Sequence, residues 1–315
     1  MDALIEAKGL SKTYGDRRAV EGLTFTVPRG AIYGILGPNG AGKSSTMRMV
    51  VGVIAPTEGE VLFDGAPLTR LAQRRIGFLP EERGLYRAMT PRAAIVYFAR
   101  LKGMKAGAAR RRAKALLAEH GLADRGHKKI RTLSKGLAQK VQLLAAIAQE
   151  PDLMVLDEPF SGLDPVNQQS LETMIRAHAA AGKTVVFSTH VMEHAERMCD
   201  RILLIAKGRM AFEGAVKDAL AHAPRSAVIE TENGFDLAAA LAPAGFAAAR
   251  EAGQGPARWR VDLANGDDPK RVLAAALQAG APLTAFEPSR VSLHEAFVSL
   301  VGAPAAAAVV GGGDA

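Results

Sequence analysis

Gly37-Pro38-Asn39-Gly40-Ala41-Gly42-Lys43-Ser44 is a glycine-rich run closed by a lysine and a hydroxyl, with Ser45 behind it. It fills the pattern G-x-x-x-x-G-K-[ST] at every position, the spacing of a phosphate-binding loop. Glycines let the backbone curl until successive N–H groups point inward at phosphate oxygens. A helix beginning near Lys43 adds the positive end of its dipole. In that frame Lys43 reaches the β- and γ-phosphates of a nucleoside triphosphate, and Ser44 ligates Mg²⁺. A glycine turn matching by chance is the competing reading. The strand before the run, residues 31–36, and the helix after it argue against chance.

A second group lies more than a hundred residues on. Met154-Val155-Leu156-Asp157 is an apolar strand ending in a carboxylate, followed by Glu158 and Pro159. A strand-end Asp beside a phosphate loop is suited to hold Mg²⁺, directly or through water. Glu158 is then placed to orient or deprotonate an attacking water. Many sheets end strands with acids, so this pattern gains its meaning from the phosphate loop.

These groups need a framework, and the chain supplies one. With 315 residues, 48% hydrophobic and 23% charged, it is globular in composition and long enough for about two domains. Short β-branched runs at 31–36, 61–64, 76–79, 153–156, 184–188 and 202–205 alternate with helical patterns. That alternation signals an α/β sheet. Residues 91–150 read as helical, with alanine and leucine at three- and four-residue spacing. Asp164-Pro165 is a helix start, a capping carboxylate followed by proline at the first helical position. Met47 and Met49 lie on the helix after the loop and read as packing. Near Ala223-Pro224-Arg225 the pattern changes. Residues 226–302 read as a small α/β unit with strands at 227–230, 259–261 and 283–286, and 303–315 as a mobile tail.

The single cysteine, Cys199, excludes an intramolecular disulfide framework and a Cys-based zinc cluster. A reducing compartment is its simplest home, and a buried apolar role its simplest use. No run approaches the ~18 to 20 apolar residues of a membrane-spanning helix. The start, Met1-Asp2-Ala3-Leu4, lacks a basic signal-peptide region. The expectation is a soluble, cytoplasmic chain. Its net charge of +8 favours acidic partners such as nucleotide, nucleic acid or anionic lipid.

The series of motifs resembles the ATP-binding cassette ATPases, the motor subunits of ABC transporters, over about residues 4–222. Leu133-Ser134-Lys135-Gly136-Leu137 is similar to the family's signature, usually LSGGQ. Ser161-Gly162-Leu163-Asp164 is similar to its D-loop. The resemblance implies a P-loop NTPase core over 1–222 with a helical subdomain at about 91–150. It implies ATP and Mg²⁺ as cofactors and hydrolysis to ADP and phosphate. The nucleotide set becomes Tyr14, Gly37, Pro38, Asn39, Gly40, Ala41, Gly42, Lys43, Ser44 and Ser45, with Tyr14 stacked on adenine. Ser134 and Gly136 would face the γ-phosphate held by a partner copy. Glu158, His190 and Lys43 would be the catalytic group, His190 as the switch histidine. Ser44, Asp157 and Glu81 would be the metal group. Tyr14 as a half-buried strand residue and His190 as a helix cap are the alternatives.

Two departures stand out. Lys135 replaces the first signature glycine and Leu137 the terminal glutamine. Glu81, in Leu79-Pro80-Glu81-Glu82, stands where the family carries a glutamine that contacts metal and membrane subunit. A carboxylate can ligate Mg²⁺, but its added charge alters the coupling role. The basic clusters Arg110-Arg111-Arg112 and Lys128-Lys129 with Arg131 are a solvated helix face or a membrane-proximal one. Pro288-Ser289 and Val291-Ser292-Leu293-His294-Glu295-Ala296-Phe297 resemble the end of an accessory domain of drug- and ion-exporting members. The resemblance implies an exporter subunit at the inner membrane face, paired with a second ABC ATPase subunit and a separate permease, with no nucleic acid. A soluble ABC ATPase outside transport is the rival. Its translation-type members carry two cassettes, and its DNA-maintenance types insert coiled coils. This chain has one phosphate loop and no heptads between Ser44 and Asp157.

Overall fold

The computed structural model describes residues 2–82, 84–232, 234–251, 257–264, 267–288 and 291–302. The tail expected at 303–315 and Ser289 of the C-terminal motif lie outside them. The chain divides into a larger unit ending at Val216 and a smaller one, Lys217–Gly302.

The larger unit opens with β1 (Ala3–Tyr14), β2 (Arg17–Pro28), β3 (Ile32–Leu36), α1 (Lys43–Val50), β4 (Glu58–Phe63), β5 (Ala66–Pro67) and β6 (Ile76–Leu79). Three helices follow, α2 (Pro91–Leu101), α3 (Ala106–Glu119) and α4 (Lys135–Ile147). Then come β7 (Leu153–Leu156), α5 (Pro165–Ala180), β8 (Thr184–Thr189), α6 (Met192–Met198), β9 (Arg201–Ala206) and β10 (Arg209–Ala215).

One sheet runs β10-β9-β3-β8-β7-β6, parallel except for β10 at its edge. Strands β3, β7 and β8 are buried at every residue, as parallel strands covered on both faces must be. The other sheet, β2-β1-β4-β5, is antiparallel. Leu4, Ile5, Leu23 and Phe25 of the antiparallel sheet share a core with Tyr33, Ile35 and Leu203 of the parallel one and with Met47 and Met49 of α1. Each such side chain contributes about 1.5–3 kcal/mol on burial. Cys199 packs its sulfur beside Gly34, and burial pushes its thiol well up.

The long hairpin β1–β2 is absent from the sequence reading. Its register shifts repeatedly, between Ala7 and Leu10 and between Leu10 and Lys12 among other places, and each shift breaks the two-residue alternation by which a strand is read. Residues 91–150, read as helical, form three helices separated at 102–105 and 120–134. Thr90 caps α2 by accepting from Ala93 N, and Ser134 caps α4 by accepting from Leu137 N. Ile95, Leu116, Val141 and Leu144 form the core these helices share. Arg110 and Arg111 are exposed, while Arg112 pairs with Glu150 at 3.4 Å.

The smaller unit contains most of α7 (Val216–Leu220), then β11 (Arg225–Thr231), α8 (Leu237–Leu241), β12 (Ala248–Arg250), β13 (Ala257–Leu263), α9 (Pro269–Gln278), β14 (Leu283–Pro288) and α10 (Leu293–Val301). Its antiparallel sheet runs β12-β13-β11-β14, the strand order of a β-α-β-β-α-β ferredoxin-like arrangement. On β13, Trp259, Val261 and Leu263 point into the core while Arg258, Arg260 and Asp262 point out. The sequence reading lacks β12, which is only three residues long. Glu295 closes a capping box with Ser292 at the start of α10, a structural use of that carboxylate.

Candidate functional site

Residues 37–42 link β3 to α1 at the carboxyl end of the parallel strands, where open α/β sheets bind ligands. Gly42 starts α1 at φ 106°, and a Cβ there would lie 2.6 Å from the Ala19 carbonyl oxygen. Only glycine fits. Lys43 is 5% exposed, and its Nζ donates to the carbonyls of Gly37 at 2.9 Å and Pro38 at 3.2 Å. The backbone therefore curls around the ammonium and holds it buried beneath the loop.

Asp157 and Glu158 follow β7 directly. Ser44 Oγ donates to Asp157 Oδ1 at 3.2 Å, and Ser188 Oγ donates to the same oxygen at 2.7 Å. Asp157 Oδ2 is buried without a partner. Glu158 sits at φ 45°, a left-handed conformation that non-glycine residues seldom adopt, and its N–H donates to Ser188 Oγ at 2.9 Å. That twist turns its carboxylate between two groups. Oε1 lies 3.1 Å from Lys43 Nζ, at ion-pair distance, and Oε2 lies 3.0 Å from His190 Nδ1. His190 follows β8 and does not cap α6, whose capping position is Val191. Glu158 is 8% exposed and His190 37%.

A cavity of about 570 Å³ opens over the loop, walled by Asn39, Gly40, Lys43, Ser44, Ser45 and Glu158, with Tyr14, Arg17 and Glu81 at its sides. Tyr14 is 46% exposed, with its hydroxyl 3.4 Å from Ser45 Oγ. The Lys12 ammonium lies over its ring, 5.4 Å from the centroid, and the exposed aromatic suits stacking. A second cavity of about 670 Å³ adjoins it. Glu81 and Glu158 line both, and Arg87, Arg131, Lys135 and Ser161 line only the second.

Ser134 and Gly136 do not line the cavity that holds Lys43. They sit at the start of α4. A Cβ on Gly136 would meet the Asn167 side chain at 2.7 Å, and Asn167 Nδ2 donates to Asp164 Oδ2 at 2.6 Å. The Lys135 ammonium occupies the place a side chain at Gly162 would take. Lys135 thus turns toward residues 161–164 of its own chain. Asp164 also caps α5, accepting from Asn167 N at 3.0 Å, with Pro165 at the first helical position.

Sequence reasoning missed Ser188, which ties Asp157 and Glu158 to β8, and Gln139, whose side-chain amide donates to the Pro159 carbonyl. A serine on a wholly buried strand was the available signal for Ser188. Among the described residues, no group of three or more His, Cys, Asp and Glu is placed to hold a metal. The oxygen donors at hand are the Ser44 hydroxyl and the Asp157 carboxylate. The arrangement brings together a buried ammonium, two carboxylates and an imidazole beside a loop of backbone N–H groups, which is the equipment of phosphoryl transfer to water.

The sequence matches the family described as ABC transporter over residues 20–161. It is 37% identical over 295 residues to the ABC transporter ATP-binding protein YhaQ of Bacillus subtilis (strain 168), covering 93% of this chain and 97% of that one. It is 39% identical over 238 residues to the Nod factor export ATP-binding protein I of Burkholderia lata, covering 75% of each. A solved ATP-binding subunit of an ABC transporter matches with a TM-score of 0.63 and 33% identity, over 69% of this chain and 91% of that one. The chain belongs to the ABC transporter family, as an ATP-binding subunit with the family's P-loop fold and ATPase activity.

Proposed function

We propose that the chain hydrolyses Mg·ATP between two paired copies and that this drives export through a separate membrane permease. The observation that carries the chemistry is the position of Glu158, between Lys43 and His190 at the wall of the phosphate-loop cavity. Lys43 binds the β- and γ-phosphates, Tyr14 stacks on adenine, and Glu158 orients or deprotonates the water. His190 holds Glu158 and senses the γ-phosphate.

The unpartnered Asp157 Oδ2 beside the Ser44 hydroxyl fits a hard divalent cation. Mg²⁺ takes one or two protein oxygens and completes its shell with phosphate and water. Ser44 and Asp157 would hold it, with Glu81 on the same cavity. When bound, it neutralises charge on the phosphate oxygens.

Export is supported by relatives named for it. Besides the Nod factor export protein, the linearmycin resistance ATP-binding protein LnrL of Bacillus subtilis (strain 168) is 29% identical over 306 residues, covering 95% of this chain and 98% of that one. Among the described residues no helix is long and apolar enough to cross a membrane, and the proposal assigns that passage to another chain. For its docking the larger unit offers an apolar groove of about 400 Å³ lined by Val53, Ile76, Phe78, Leu85, Phe98 and Leu101. Val53 and Leu101 are each 60% exposed, a patch that marks an interaction surface. The groove continues through Pro80 and Gly84 to the segment carrying Glu81. This continuity supports reading the groove as a docking surface coupled to the nucleotide cavity, with the chain at the inner membrane face.

Co-purification from detergent-solubilised membranes tests the proposal. The expected result is a multi-spanning partner that is lost with Leu101→Asp while that variant still binds ATP. Recovery of the tagged chain without any multi-spanning protein would support a soluble ATPase outside transport.

A further inference from the structure

Tyr14 and Arg17 face one another across the tip of the β1–β2 hairpin, paired in register with only Gly15 and Asp16 between them. Cross-strand partners present their side chains on the same face, with Cβ atoms about 4.5–5.5 Å apart. Both side chains line the phosphate-loop cavity. The next residue, Arg18, falls on the opposite face by the two-residue alternation of a strand. There it is used up, donating to Glu58 at 3.0 Å and Ser11 at 3.2 Å. Arg17 makes no such bond with any described residue. Its Nη2 instead lies 3.8 Å from the point where a Cβ on Gly40 would stand, so the guanidinium reaches from the hairpin to the apex of the phosphate loop.

The two cations of the cavity therefore sit at different depths. Lys43 is buried under the loop, where the outer phosphates go. Arg17 stands at the rim as the cross-strand partner of Tyr14. A nucleotide with its base on Tyr14 and its outer phosphates at Lys43 must pass its α-phosphate through the interval between them. We propose that Arg17 is a nucleotide-binding residue that holds the α-phosphate of ATP and ADP alike. Its geometry rests on the reading of Tyr14 as the adenine platform. A guanidinium at this place supplies charge-assisted hydrogen bonds to phosphate oxygens and closes the open side of the cavity.

The α-phosphate is common to substrate and product, so the contact weakens both equally when lost. Calorimetric titration of ATP and ADP into the Glu158→Gln chain, which suppresses hydrolysis, reads this directly. Adding Arg17→Ala is expected to raise both dissociation constants by the same factor, about tenfold. Arg17→Lys should recover part of the loss, and Arg17→Gln little, because the contact is ionic. The dependence of binding on salt should also flatten with Arg17→Ala. Unchanged affinities would overturn the proposal and leave Arg17 a solvated arm. A loss confined to ATP would overturn it by placing the arginine at the γ-phosphate, and full recovery with Gln would place it on a neutral group such as the ribose. Tyr14→Ala separates the two readings. If it leaves both affinities intact while Arg17→Ala lowers them, the adenine platform fails and the phosphate contact stands.

Discussion

Oε2 of Glu158 lies 3.0 Å from Nδ1 of His190, and this contact fixes where the carboxylate points. The Glu158 backbone is held by Ser188 in a left-handed conformation, and strain of this kind costs about 1–3 kcal/mol. With the backbone so held, the imidazole anchors the far end of the side chain.

Replacing His190 with Ala should therefore slow hydrolysis by about 10²-fold, the lower range for a misplaced general base, while nucleotide affinity stays within about twofold. Single-turnover hydrolysis with a parallel binding titration separates these effects. An equal loss in both would mean that His190 acts on binding and not on Glu158.

Much of this centre was legible because it is local. The phosphate loop needs one strand, one turn and one helix in sequence, and residues 31–50 announce all three. The carboxylate pair is legible for the same reason, as an apolar strand that stops at Asp157. Contacts made across long separations were not legible. Ser188 reaches Asp157 and Glu158 from 31 and 30 residues away, and a hydroxyl on an apolar strand signals a partner without naming it. The β1–β2 hairpin hid behind its register shifts, and with it the pairing of Tyr14 with Arg17. The orientation of Lys135 was equally closed to sequence, since it depends on the open space above Gly162.

Glu81 stands beside Glu158 on both cavities and on the segment leading to the apolar groove. Glu81→Ala should lower Mg²⁺-dependent hydrolysis severalfold, or leave hydrolysis running while transport in membrane vesicles falls. Comparing the two rates in the same vesicles decides between metal contact and coupling. If both keep their original values, Glu81 is surface charge and has neither role.

Arg75 joins the two sheets of the larger unit. Its guanidinium bonds Asp64 at 2.9 Å and Asp152 at 2.6 Å and lies over the Phe63 ring. Desolvation pushes the Asp152 carboxyl up, but hydrogen bonds from Arg75 and Lys183 outweigh it and hold the group below its usual range. Bonds from Arg75 and Arg29 do the same for Asp64. A lowered native value means that the stabilisation is full above the ordinary carboxylate range and is lost as pH falls through the native value. Arg75→Met should thus melt roughly 2–4 °C lower at pH 7, and the gap should close as pH drops below about 4. Thermal melts across pH check this, and a gap that persists at pH 2 would assign the effect to packing on Phe63.

The central claim is that two copies complete each other's nucleotide sites. Within one chain, Ser134 and Gly136 lie outside the cavity that holds Lys43, and the proposal gives them the γ-phosphate held by a second chain. A twofold arrangement satisfies both sites at once. In this proposal ATP favours the closed pair by binding that state better, and hydrolysis releases it. Analytical ultracentrifugation of Glu158→Gln with and without Mg·ATP is the most direct test. The account predicts monomers without nucleotide and dimers with it. A chain that stays monomeric at high concentration with Mg·ATP, while the wild type hydrolyses ATP at a specific rate independent of protein concentration, would contradict it.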